Sequence, residues 1–274
     1  MERSGLRASS VVLAAMAMLL ASLASAGAGF QSREEALDVL QKTNRLIEAA
    51  PNQAALYTLR GDAYYALNDL YGAMENYTAA IRLDDRQDDA YFGRGMVLGR
   101  MGRVDEGIAD LDVYILRHPD SSVAYTKRGV RNIWRNNLAA AERDLVRAVE
   151  LDPDNAEAHD DLGVVHAKHN RIGLAAKHFS TAIRLDPSYQ KAYHNLAICF
   201  YVRGQPREAL EIVDAGLQLD PDSRDSLFLK STVLEALGRT DESRVLAERA
   251  EFLPESNWSE RSETGSFSIQ GRKK

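Results

Sequence analysis

Cysteine is almost missing from this chain: Cys199 is the only one in 274 residues. No internal disulfide can form, so stability must come from packing. Ala63, Val97, Val165 and Val233, which stand at multiples of 34 residues from it, make Cys199 a small buried apolar residue; a catalytic pair with His194 has no third group to orient it. Neither sign of charge dominates. Lys and Arg number 34 against 40 Asp and Glu, a net charge of −6, and both signs are mixed along the chain. No basic stripe appears, which excludes the usual electrostatic footprint of a nucleic-acid binder. No nucleotide loop, Ser-His-Asp order or paired-carboxylate motif is present, so the reading is non-enzymatic, with no cofactor expected. Long hydrophobic runs are confined to Val11–Ala24. That run is short for a membrane span. Arg3 and Arg7 precede it and Ala24-Ser25-Ala26 follows, the pattern of a secretory signal peptide (1–26) cleaved after Ala26. Its short, Ala-rich form is of bacterial type and predicts a periplasmic or secreted protein with no stable membrane span after cleavage. An uncleaved anchor is the alternative. No Cys stands near the cleavage site to carry a lipid.

What the chain does have is a period. Tyr57, Tyr91, Tyr125, His159, Tyr193 and Leu227 stand 34 residues apart. Gly61, Gly95, Gly129, Gly163, Ala197 and Ser231 form a second column, and Ala73, Gly107, Ala141, Ala175, Ala209 and Ser243 a third. No insertion breaks the register, which is the signature of a solenoid. Within each unit, apolar residues recur at helical spacing, as at Ala158, Leu162, Val165 and His166. A turn-forming Asn or Gly then interrupts in every copy: Asn68, Gly102, Asn136, Asn170, Gly204, Gly238. These residues tolerate a left-handed backbone, so each ends a first helix. Asp-Pro, as at Asp152-Pro153, stops the second.

The small columns let helices cross closely. In the column Ala80, Tyr114, Ala148, Ala182, Gly216, Ala250, Tyr114 is the misfit and predicts a local shift between repeats two and three. Arg60, Arg94 and Arg128 face Asn76, Asp110 and Asp144 sixteen residues on, while repeat five carries the apolar Leu196 and Ile212 there. That covariation predicts ion pairs Arg94–Asp110 and Arg128–Asp144 bridging the two helices of a repeat.

The pattern resembles the tetratricopeptide repeat (TPR). Repeat one carries Tyr57, Gly61, Tyr64, Ala73, Tyr77 and Ala80; repeat five carries Tyr193, Leu196, Phe200, Ala209 and Pro221. The resemblance implies an all-α fold, a right-handed α-solenoid of antiparallel helix pairs. Six repeats are expected at 54–87, 88–121, 122–155, 156–189, 190–223 and 224–253. A linker and N-terminal capping helix (27–53) precede them, and a disordered polar tail (254–274) follows, with Trp258 or Phe267 folding back over the last helix pair.

The resemblance also implies an inner groove lined by first helices. At its groove positions this chain presents Phe92, Met96, Val130, Ile133, Trp134, Val164, Ile198, Tyr201, Val202 and Phe228, an apolar wall expected to face water and to take a partner. Lys191, His194 and Asn195 add a polar spot. Family members that grip a terminal carboxylate use Lys, Asn and Arg at set positions. Here Thr58, Asp62, Gly93, Val123 and Lys127 stand there and only Lys127 fits. Four of six histidines, His159, His166, His169 and His178, fall in repeat four, but no carboxylate or Cys completes a metal set, so no metal is expected. The function expected is a non-catalytic scaffold of the bacterial periplasm, holding a protein or peptide segment, a component of an envelope complex. One alternative is a self-assembling homo-oligomer stacked through its end repeats. A remoter one is a metal-dependent activity of the repeat-four histidines.

Overall fold

The computed structural model describes residue 30 and residues 32–254. The expected signal peptide and cleavage site, and all of the expected tail beyond residue 254 with Trp258 and Phe267, lie outside the described residues. Those described form thirteen α-helices and no strands: α1 (Arg33–Ala49), α2 (Ala54–Ala66), α3 (Leu70–Leu83), α4 (Asp88–Arg100), α5 (Val104–Arg117), α6 (Ser122–Trp134), α7 (Leu138–Leu151), α8 (Ala156–Lys168), α9 (Ile172–Leu185), α10 (Gln190–Val202), α11 (Pro206–Leu219), α12 (Arg224–Ala236) and α13 (Thr240–Glu251). They fall into two compact units divided between Pro119 and Asp120. Within the first unit Tyr114 stacks on His118 and leans on Phe92, with ring centroids 4.5 Å and 5.1 Å apart.

The local signals explain the helix ends. All six turn residues adopt positive φ, from 59° at Asn136 and Asn170 to 78° at Gly102. After α2, Asn68 N–H donates to Tyr65 O and Asp69 N–H to Tyr64 O, both at 2.9 Å, which closes the helix end. The same pair of bonds recurs after α4, α6, α8, α10 and α12. Asp69 then starts α3 by accepting from Gly72 N–H, as Asn137 does from Ala140 for α7.

In the first unit α1 packs on α2, and α2–α3 and α4–α5 form antiparallel pairs joined through α3 and α4. In the second unit the pairs are α6–α7, α8–α9, α10–α11 and α12–α13, each second helix also packing on the next first helix. The chain is thus an α-solenoid of helix pairs. The small columns sit at the crossings. A Cβ on Gly129 would lie 2.8 Å from Leu145 Cγ, and one on Gly107 would lie 2.8 Å from the carbonyl of Gly95. Cys199 is fully buried, and burial pushes its thiol up to about 12.

The paired columns behave as expected. Arg94 holds Asp110 by two bonds of 2.7 Å and 2.8 Å, and Arg128 holds Asp144 by bonds of 3.0 Å and 2.6 Å. Arg60 donates to Asn76 at 2.6 Å. Each guanidinium also lies over the Tyr three residues earlier, Tyr57, Tyr91 or Tyr125, an arrangement the column reading missed.

Candidate protein-binding face

Successive first helices touch one another: α2 meets α4 in the first unit, and α6, α8, α10 and α12 follow in the second. The groove residues inferred from the sequence stand on these helices, but five of the six aliphatic ones are closed to water. Val130, Ile133, Val164 and Ile198 in the second unit and Met96 in the first are buried. Neighbouring first helices lie close enough for such side chains to cover one another, so the exposed apolar wall is narrower than expected. What stays half-exposed is aromatic: Trp134 on α6, Tyr201 on α10 and Phe228 on α12, with Phe92 on α4 of the first unit. Val202 is exposed. The Arg131 guanidinium stacks 4.9 Å from the Trp134 ring, and that of Arg224 lies 5.5 Å from Phe228.

The polar spot is not a free surface. Lys191, His194 and Asn195 are buried. Lys191 Nζ lies 2.9 Å from Asp160 Oδ2 and 3.5 Å from Asp161 Oδ1, and Asn195 Nδ2 donates to Asp160 Oδ1 at 3.0 Å. Burial pulls the Lys191 pKa down, but the two carboxylates outweigh it and hold it above the ordinary lysine value. Gln190 donates to Ser226 Oγ at 3.0 Å, and His194 Nδ1 lies 3.3 Å from the same hydroxyl. Burial lowers the His194 pKa to about 4, so the ring is neutral at pH 7. Lys127, the one residue that fitted a carboxylate grip, binds Glu157 at 2.7 Å and 2.8 Å.

These bonds form a polar ladder that ties α6 to α8, α8 to α10 and α10 to α12. The partners are about one repeat apart, and that spacing between complementary side chains on first helices is the signal that could have found them. The first unit has a different device. Tyr77, buried on α3, fills the room left by Gly61 and Gly93 and donates its hydroxyl to Asp62 Oδ1 at 2.7 Å.

Three of the four repeat-four histidines come together, and they are described below. Among the described residues no group of three or more His, Cys, Asp or Glu is arranged to hold a metal ion, and no helix is long and apolar enough to cross a membrane.

Sequence profiles described as TPR repeat match residues 61–102, and profiles described as tetratricopeptide repeat match 89–121, 135–190 and 167–230. With the helix pairs, this shows that the chain belongs to the tetratricopeptide repeat family. Human DnaJ homolog subfamily C member 7 is 32% identical over 106 residues, 38% of this chain and 21% of that protein. The match therefore spans about a fifth of that curated relative. Among solved structures, a tetratricopeptide repeat protein from Parabacteroides merdae superposes with a TM-score of 0.69 at 15% identity, over 89% of this chain and 94% of that one. PilW, described as a widely conserved type IV pilus biogenesis factor, gives 0.66 at 19% identity over 72% and 92%. At these identities the likeness is one of fold.

Proposed function

We propose that this protein is a non-catalytic scaffold that holds a segment of a partner protein against its first helices, in the bacterial periplasm and within an envelope assembly. The observation that carries the reading is the set of partly exposed aromatics Trp134, Tyr201 and Phe228 on first helices that a polar ladder, buried at Lys191 and partly buried at Lys127, ties together. Rigid aromatics on a fixed support are the usual anchors of an interface. Phe92 gives the first unit a smaller contact of the same kind, with Met96 buried on the same helix. Val130, Ile133, Val164 and Ile198 act from below, by fixing the spacing of the helices, while Lys191, His194 and Asn195 set their register. The signal-like N-terminal sequence and the resemblance in fold to PilW support the envelope setting.

Trp134→Ala tests the reading. The helical circular dichroism spectrum stays nearly intact, and capture of a partner, identified by crosslinking and pull-down from an envelope extract, weakens by about 2 kcal/mol, roughly thirtyfold. Unchanged capture would move the partner off this face. Phe252, 89% exposed beyond α13, together with exposed Val245, favours a second reading, stacking of copies through the last repeat. A monomer by light scattering at micromolar concentration removes it.

A further inference from the structure

Repeat four carries an imidazole cluster that the binding face does not use. His159 and His166 are buried on α8, and His178 on α9 stands between them, with ring centroids 5.4 Å and 5.1 Å away. The proton positions follow from the partners. His159 Nε2 lies 3.2 Å from the carbonyl of Pro153, which can only accept, so Nε2 carries the proton. His159 Nδ1 is then an acceptor, and His178 Nδ1, 3.1 Å away, must donate to it. The two rings share one proton across α8 and α9. A second proton there would set N–H against N–H at the same distance.

The surroundings offer the cluster little relief. His178 feels the charge of the other two imidazoles. On His159 act Arg184 near the end of α9, which opposes protonation, and Asp154 in the loop before α8, which favours it. On His166 act Glu142 of α7, which favours protonation, and Arg171 at the start of α9 with His169, which oppose it. Glu142 is already engaged by Arg171 at 2.6 Å and by His169 at 3.5 Å, and its Oε1 stays 3.9 Å from His166 Nδ1, a buried atom without a hydrogen bond. Leu196 and Cys199 of α10 join the apolar core that α8 and α9 share. Burial accordingly lowers all three pKa values, that of His178 to about 4.

We propose that repeat four is an acid-sensitive joint: taking up protons on His159, His166 and His178 breaks the hydrogen bond between His159 and His178, drives like charges together and separates α8 from α9, opening the second unit in its middle. Above the ordinary histidine range the joint is closed, and it loosens as pH falls from about 6.5 towards 4. Each proton taken up on opening changes the opening equilibrium about tenfold per pH unit.

Amide hydrogen exchange on the full chain at pH 7 and pH 5, corrected for intrinsic rates, tests this. In the wild type, α8 and α9 amides lose at least about tenfold in protection at pH 5, while those of α2 and α3 do not. The triple variant His159→Tyr, His166→Phe, His178→Ile supplies the residue types found at these places in repeat five, and it abolishes the difference. Equal loss in all helix pairs, or a response that survives in the variant, overturns the proposal. Should the triple variant not fold, proton NMR titration of the wild-type histidines decides: midpoints well below the ordinary histidine value for the three rings support the joint, and ordinary midpoints overturn it. A rise in melting temperature with added Zn²⁺ at pH 7 that His178→Ile removes would also overturn it, because the rings would then be open ligands.

Discussion

Lys191 Nζ lies 2.9 Å from Asp160 Oδ2, with 2% of the one side chain and none of the other exposed. The pair ties α10 to α8, and Asp161 on the same helix turn adds a second carboxylate at 3.5 Å. Burying charges costs much, and the cost is offset only while each keeps its partner. Lys191→Met should therefore cost about 3–5 kcal/mol, because it leaves buried carboxylates without their ammonium. Adding Asp160→Asn to it should recover part of the loss. Urea denaturation of the three proteins measures both, and a single-variant loss below about 1 kcal/mol would mean that water reaches the pair.

Arg128 and Asp144 bridge the two helices of repeat three, with Asn132 donating to the same carboxylate at 3.1 Å. Asp144→Ala removes the carboxylate that holds the half-buried guanidinium by two bonds. It should destabilise more than Arg128→Leu combined with Asp144→Leu, which recreates the apolar arrangement of repeat five. The difference expected is roughly 2 kcal/mol, below the value for a fully buried pair because Arg128 is partly solvated. Equal melting temperatures of the two variants would show that the pair adds nothing to stability.

Gly129 faces Leu145 so closely that even a Cβ would stand 2.8 Å from Leu145 Cγ. Gly129→Leu should cost about 1–3 kcal/mol or more, by forcing α6 and α7 apart. A thermal melt that matches the wild type would show that the crossing can widen freely.

Asp62 titrates in an unusual range. Burial raises its carboxyl from 3.8 to about 6; the Tyr77 hydroxyl pulls the other way, and Asp89 adds to the rise. The folded state thus holds a proton that the unfolded chain releases. Stability from this group is complete below about pH 4 and is lost as pH rises through 6. Asp62→Asn, which still accepts from Tyr77, should raise stability at pH 7.5 by about 1–2 kcal/mol and leave it unchanged at pH 4. A gain of equal size at both pH values would disconnect it from this ionisation.

The repeat, the turns and the inter-helix pairs were legible in the sequence because each rests on residues close together in one repeat. Asn136 needs only its own backbone to end a helix, and Arg128 finds Asp144 sixteen residues on, across a single turn. Six copies in phase then made the fold visible without any knowledge of long-range contacts. The candidate binding face was legible only in outline. Trp134, Tyr201 and Phe228 keep partial exposure, but Val130, Val164 and Ile198, chosen by the same positions, are buried, because exposure depends on how near the next first helix comes. That distance follows from side chains a whole repeat away. The ladder from Lys127 to Ser226 belongs to the same class: Lys191 reads as a surface cation until α8 brings Asp160 and Asp161 against it. The tertiary structure alone decided these, since burial and the pairing of charges follow from packing between repeats, while periodicity records only what each repeat must do for itself.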